Sequence, residues 1–288
     1  MEINGVFIQD TFAEAWDLEV VRLVLTAISE DVALGGAHQF AGAGGSSELG
    51  SRFNAGIERV ALPSETPDGR PGVIVSCTMP PERRPDLLEE LALRVALATL
   101  IPTLAIYDCM VPDVGAAEQV DLYALTSEHW QGFDEERETG GRRVCAVPTT
   151  TGEFIYEKSI RLSTQGTDGH FVCYAKTEAS AVLAVQAAKA AIAGVDGVAP
   201  MGYGLEQVFR ELDYVPALRA RLEHSKVPEG VGSILNLLMF GATSGLMRRG
   251  MAVAVRAAVQ PPGVLQIGAM NFGGTFGRHQ YHLHDLLA

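Results

Sequence analysis

The sequence predicts an α+β protein of two related split-βαβ (ferredoxin-like) lobes with antiparallel sheets. Three observations lead there. A strand–helix–strand rhythm runs through the first part of the chain and returns after Gly169. Between the two runs lies a section, Tyr107 to Leu162, of short strand candidates and loops. Dense turn formers bound the strands, whereas one doubly wound sheet would need more uninterrupted alternation. The lobes are placed at residues 1–162, with inserted middle strands and loops, and at residues 163–288.

The elements follow in order. VVRLVLTA, Val20 to Ala27, reads as a strand, and Asp31 to Phe40 as a short, Gly-weakened helix. GVIVSCTM, Gly72 to Met79, is a second strand, stopped by PDGRPG before it and PPERRP after it. Asp86 to Thr99 is a helix whose Leu88, Leu91, Val95 and Ala98 share a face, and Pro102 ends it. TLAIYD is the next strand. In the second half FVCYAK is a strand, and an alanine-rich helix opens at Glu178 and runs to Ala193. Its Ala181, Val185, Ala188 and Ile192 are small or slim, which suits close packing on a sheet. Val231 to Phe240 is a strand, Thr243 to Val259 a helix stopped by Pro261–Pro262, and VLQIGAMNF the closing strand. Periodicity is weak in Arg52–Ser64 and Gly202–Ser225.

A chain of 288 residues can bury a substantial core, and a net charge of −13 opposes non-specific nucleic-acid binding. No apolar run approaches the ~20 residues of a membrane span. The start, MEINGVFIQD, has no basic-then-apolar leader, so a cytoplasmic protein is expected. Cys77, Cys109, Cys145 and Cys173 lie far apart without a CxxC pair and are expected reduced and structural.

Several stretches carry candidate chemistry. NFGGTFGRHQYHLHDLL, Asn271 to Leu287, joins glycines that can cradle an anion to three histidines. If Gln280–Asp285 is extended, His282 and His284 share a face and His279 points away. Zinc would need a further ligand, and none stands at ligand spacing, so no metal is expected. FAGAGGSS, Phe40 to Ser47, follows a helix and so fails as a dinucleotide loop; it is a connection or a substrate-facing loop. In ETPDGRPG, Arg70 either faces an anion or pairs within the turn. Trp130 and Tyr203 either stack on a planar heterocycle or anchor loops to the core. Asn236, inside SILNLLMF, must find partners, and is either a network member or part of a site wall. No nucleophile triad stands out.

The opening MEINGV…DTFAEA, then AGIE (Ala55–Glu58), ETPDGRPG, GGRRVCAVP, GEFI (Gly152–Ile155) and the terminal NFGG…HLHDL resemble formylmethanofuran:tetrahydromethanopterin formyltransferase, in family order along nearly the whole chain. The resemblance implies two related α+β lobes and a homo-oligomer, dimer or tetramer. It implies formyl transfer between the amine of methanofuran and N5 of tetrahydromethanopterin, with these as substrates and no metal. It also implies partnership, in bacteria, with other subunits of a formyltransferase/hydrolase complex. The family's proton-handling glutamate falls on Asn236. Its polar loops fall on Gly44, Ser46 and Ser47; on Trp130 and Gln131; on Tyr203 in PMGYG; and on Asn271, Gly273 and Gly274, where its lysine becomes Thr275. Its SKVG loop and STN segment have no counterpart between Leu205 and Pro228. Two functions follow: the formyltransferase itself, or a non-catalytic paralogue acting as an oligomeric scaffold or partner subunit.

Overall fold

The computed structural model describes residues 1–45, 50–207 and 212–288. The chain starts with β1 (Glu2–Ile3), β2 (Val6–Ile8) and β3 (Phe12–Ala15), then β4 (Asp17–Thr26), α1 (Glu30–Ala41), β5 (Asn54–Ala61), β6 (Gly72–Met79), α2 (Arg84–Ala98) and β7 (Ala105–Asp108). The middle section holds β8 (Glu118–Asp121), α3 (Leu122–Thr126), β9 (Glu135–Thr139), β10 (Arg142–Thr149) and β11 (Gly152–Glu157). Then come β12 (Ser159–Ala175), α4 (Glu178–Ile192), β13 (Val198–Pro200), β14 (Ser233–Gly241), α5 (Ser244–Ala258), β15 (Val264–Gly268), β16 (His279–His282) and α6 (Leu283–Leu287). The fold is mixed α+β.

Two compact units form, one of Met1–Asp17 with Thr167–Ala288, the other of Leu18–Gly166. This differs from the contiguous division 1–162 and 163–288 in where the N-terminal strands go. Their partners lie at the far end of the chain: β2 pairs in parallel with β15, and β3 antiparallel with β16.

In the unit of Leu18–Gly166, β5, β6, β4 and β7 lie side by side in that order, every pair antiparallel. Alternate residues of β4 face opposite ways. Val21, Leu23 and Leu25 join Val73, Val75 and Cys77 of β6 in a core closed by Ala33, Ala37 and Phe40 of α1 and by α2. The stripe on α2 is Leu87, Leu91, Val95 and Ala98; the expected Leu88 is only half-buried, because the contact line passes one residue earlier. Ser29 caps α1 by accepting from the Val32 N–H. The middle strands extend this unit, β11 pairing in parallel with β7 and antiparallel with β10, which pairs with β9.

The expectation of weak structure over Arg52–Ser64 is corrected by β5. Its alternation is broken by a register shift between Ile57 and Arg59, where Glu58 is the extra residue. That bulge aims Glu58 at Arg22. The Arg22 Nε donates to both carboxylate oxygens at 3.1 and 3.0 Å, and Ser76 Oγ donates to Glu58 Oε1 at 2.6 Å. Arg22 Nη1 donates to the Cys109 carbonyl. Both charged residues are buried, on the face opposite α1 and α2.

In the unit of Met1–Asp17 and Thr167–Ala288 the order is β13, β14, β12, β15, again with every pair antiparallel. Helices α4 and α5 carry buried Ala181, Val185, Ala188 and Ile192, and Leu246, Met251 and Val255. Thr177 and Thr243 cap them by accepting from Ser180 and Leu246 N–H groups. The extended reading of Gln280–Asp285 holds only to His282, where α6 begins; His284 turns to the Ile8 carbonyl and the N-terminal ammonium.

Glu58→Gln is expected to destabilise the protein by about 3–5 kcal/mol, since it leaves a buried guanidinium without its countercharge. Replacing both residues, Arg22→Met with Glu58→Leu, should recover most of that loss. Denaturant midpoints of the three proteins check this, and a fully stable E58Q protein would contradict it.

Candidate functional site

The first polar centre joins the two ends of the chain. Glu14 in TFAEA lies in β3, fully buried. Its carboxylate accepts from four backbone N–H groups of the NFGGTFG loop: Phe272 at 2.6 Å, Gly274 at 3.0 Å, Phe276 at 2.6 Å and Gly277 at 2.6 Å. Burial alone would raise the carboxyl's pKa, but the four donors outweigh it and hold it down at about 2. Gly273 and Gly274 have φ of 78° and 73°, which lets successive N–H groups converge on one carboxylate. The loop is an anion cradle, and the anion is the chain's own. Asn271 is engaged as well, donating to Thr11 Oγ1 and the Phe12 carbonyl and accepting from Gly273. Nearby, Asp17 pairs with Arg278 and His279.

The second centre lies on a sheet face of the same unit. Asn236 stands opposite Val172 on β12, and Val172 opposite Gly268 on β15. On its other side Asn236 exchanges both backbone hydrogen bonds with Glu206, at 3.0 and 2.8 Å. Residues directly opposite across strands point to the same face, so Gly268, Val172, Asn236 and Glu206 form one transverse row. An apolar cluster of Val172, Tyr174, Val227, Val231 and Ile234 adjoins it. A Cβ at Gly268 would stand 2.2 Å from Gln9 Oε1, so a side chain there would displace the Gln9 amide from its hydrogen bond with the Tyr174 hydroxyl.

Asn236 is only 7% exposed, and its Oδ1 has no hydrogen-bond partner among the described residues. An unmatched buried acceptor costs about 1–3 kcal/mol. Beside this row, His170 is opposite Leu238, and its Nε2 accepts from the Met270 N–H at 3.0 Å. Burial lowers the imidazole to about 4, so the ring is neutral near pH 7 with its proton on Nδ1. The face therefore presents an amide oxygen, a carboxylate and a neutral imidazole. Such a set receives N–H donors and handles protons.

The other expected site residues are distributed as follows. Tyr203 is 70% exposed, with Lys189 of α4 4.2 Å from its ring centre. Gly204 next to it contacts Leu237, which alternates with Asn236, so this loop meets the opposite face. Gly44, Trp130 and Gln131 belong to the unit of Leu18–Gly166. The Gly44 carbonyl accepts from Ala55 N–H, and a side chain at 44 would collide with Ala41 and Ala55. Trp130 is buried, donating from Nε1 to the Tyr156 hydroxyl at 2.8 Å, and so anchors its loop to the core. Gln131 is exposed at φ 58°. Ser46 and Ser47 lie outside the described residues.

Arg70 pairs with Asp68 and donates to Thr103 and Thr26, so ETPDGRPG closes on itself. A pocket of about 120 Å³ between α1 and α2 is lined by Arg94, whose guanidinium is held by Phe40 and Ala41 carbonyls and by Glu90. No group of three or more metal-ligating side chains occurs among the described residues. Cys77, Cys109, Cys145 and Cys173 are free thiols, each raised by burial.

Glu14, His170 and Glu206 were missed by sequence reasoning. A lone carboxylate between alanines in FAEA was a usable signal for the first. The other two become visible only through strand register.

Residues 1–149 match the family model for formylmethanofuran-tetrahydromethanopterin formyltransferase, and residues 210–286 the model described as its proximal lobe. The formylmethanofuran–tetrahydromethanopterin formyltransferase of Methanothermus fervidus is 34% identical, over 99% of this chain and all of that protein. The solved formyltransferase of Methanosarcina barkeri superposes with a TM-score of 0.89 at 30% identity, covering 99% of this chain and 100% of that one. A chain of the formyltransferase/hydrolase complex from Methylorubrum extorquens, solved with methylofuran, gives 0.85 at 27% identity, covering 100% and 99%.

Two acid transitions are expected from the buried groups. The Glu14 carboxyl is depressed to about 2 from an ordinary 4.5, so its stabilisation is complete above about pH 4.5 and lost as pH falls through about 2. His170 is depressed to about 4 from 6.5, so the unfolded chain takes up its proton first, and stability falls by about 3 kcal/mol in total as pH drops from about 6.5 to below about 4. His170→Gln should flatten the upper window, and Glu14→Gln the lower one while lowering Tm throughout. Thermal melts from pH 7 to pH 2.5 test both; an unchanged slope in either variant would refute its assignment.

Proposed function

The chain belongs to the formylmethanofuran-tetrahydromethanopterin formyltransferase family, and we propose that it moves a formyl group between the amine of a methanofuran-like carrier and N5 of tetrahydromethanopterin, in one-carbon metabolism. The observation that supports this most is the extent of the likeness, which covers 99% of this chain. The two antiparallel orders, β5–β6–β4–β7 and β13–β14–β12–β15, each with its two crossover helices, support the reading of both units as related split-βαβ lobes. We place the protein in the cytoplasm, as a homodimer or homotetramer, and as a partner for other subunits of a formyltransferase/hydrolase complex.

The chemistry sets its own requirements. The acceptor nitrogen bonds to the formyl carbon and gives up a proton; the bond to the donor nitrogen breaks, and that nitrogen gains one. No electron is transferred and the protons balance. The protein has to hold two amines near one carbonyl carbon, exclude water and carry one proton between nitrogens. The acceptors at Glu206 and Asn236 and the neutral His170 are the kinds of group this needs.

The second reading, a non-catalytic paralogue serving as scaffold or partner subunit, is favoured by Asn236 at the glutamate position, by Thr275 at the lysine position, and by the engagement of the NFGG donors with Glu14.

Incubating the purified protein with formylmethanofuran and tetrahydromethanopterin should yield the N5-formyl pterin with saturable dependence on both, and calorimetric titration with the pterin should saturate. Neither transfer nor binding would overturn the transferase reading and leave the scaffold.

A further inference from the structure

The hydrogen-bonded pair Glu206–Asn236 carries more than a departure from the family pattern. The two residues exchange both backbone hydrogen bonds, so their side chains start side by side on one face, roughly 5 Å apart at Cβ. Asn236 Oδ1 is buried without a donor among the described residues. The Glu206 carboxylate cannot supply that donor when ionised, because both groups only accept. The neighbours in register do not supply it either: Val172 is apolar and Gly268 has no side chain. His170 Nε2, one position along β12, is itself an acceptor already engaged by Met270 N–H. What fits between an amide oxygen and a carboxylate is a nitrogen bearing N–H groups.

We infer that Glu206 and Asn236 together form the amine-binding position of this protein, with Glu206 the catalytic residue that carries the proton between the two amines. This inference rests on the formyl-transfer reading. Asn236 Oδ1 accepts one N–H and so fixes the direction of the nitrogen lone pair. As the acceptor nitrogen bonds to the formyl carbon, its proton passes to a Glu206 carboxylate oxygen. As the bond from that carbon to the donor nitrogen breaks, the same proton passes to the donor nitrogen, which leaves as the free amine. Glu206 ends the cycle ionised, and nothing is oxidised or reduced. The resemblance puts the family's glutamate at position 236; in this chain the carboxylate stands across the strand pair, at 206.

The test uses the full chain and four proteins: wild type, Glu206→Gln, Asn236→Glu, and the exchange E206Q/N236E. Formyl transfer from formylmethanofuran to tetrahydromethanopterin should fall by about 100-fold in kcat for E206Q, with the pterin KM within about threefold of wild type. The exchange should regain at least tenfold of that loss, because it returns a carboxylate to the same pair from the other strand. Calorimetric titration with methanofuran should be about tenfold weaker for E206Q than for wild type, and melting temperatures should show that both fold. E206Q with undiminished kcat would overturn the inference while the transferase reading stands. E206Q impaired but not recovered by the exchange would assign Glu206 a purely structural role and overturn it as well. If wild type transfers no formyl group, the transferase reading fails separately, and methanofuran titration still decides the pair: equal binding, or none, in wild type and E206Q removes the amine site.

Discussion

One buried carboxylate holds together a unit whose sequence is split between the two ends of the chain. Glu14 would be expelled from an apolar interior without compensation, since an isolated carboxylate loses far more hydration than packing returns. Four converging N–H groups replace that hydration, and they come from residues 272–277. The charge therefore specifies which loop closes over which strand, and β3 can pair with β16 only where the cradle forms. The parallel pairing of β2 with β15 and the Asp17 contacts to Arg278 and His279 follow from the same closure. A glycine-rich loop that had the composition of a phosphate cradle is thereby committed to an internal ligand. Its exposed aromatics, Phe272 and Phe276, are left at the rim, with Phe272 edge-on to Trp16.

The other unit depends on a comparable device. Glu58 reaches Arg22 because a bulge inserts it between two regular stretches of β5. Both locks sit in segments that carry the family resemblance, TFAEA with NFGG and AGIE, while GGRRVCAVP provides Arg142, which holds Glu157 and the Asp108 carbonyl. Buried charges that must each be matched leave few acceptable substitutions. Motifs of this kind therefore report the fold rather than the reaction.

This division explains what was legible in the sequence. β6 was readable to the residue, because Gly72 to Met79 is largely apolar and flanked by prolines and glycines. Helix α4 was readable with four of its buried positions, because alanine and valine at helical spacing leave one interpretation. β5 was not, because its bulge destroys the period of two on which strand reading depends. The pairing of β2 with β15 and of β3 with β16 was not legible for a different reason: a separation of more than 250 positions leaves no local trace. In the site, Asn236 stood out as a lone amide in an apolar strand. Glu206 did not, since an exposed-looking glutamate in an irregular stretch has no signature until the register of β14 is known.

That register limits how a polar function can move. Shifting a carboxylate by one residue along β14 would send it to the face packed on α4, where Leu237 and Met239 are buried. Shifting it by two would change its depth along the sheet by nearly 7 Å. Moving it across the pair to Glu206 alters neither face nor depth and displaces it by about 5 Å, within reach of the same substrate atom. The amide at Asn236 sets an acceptor beside it, and its Oδ1, without a donor among the described residues, is an energetic cost that packing alone does not require. A chain free of function at this point would be more stable with an apolar side chain there, as at Ile234 and Leu238 on the same face.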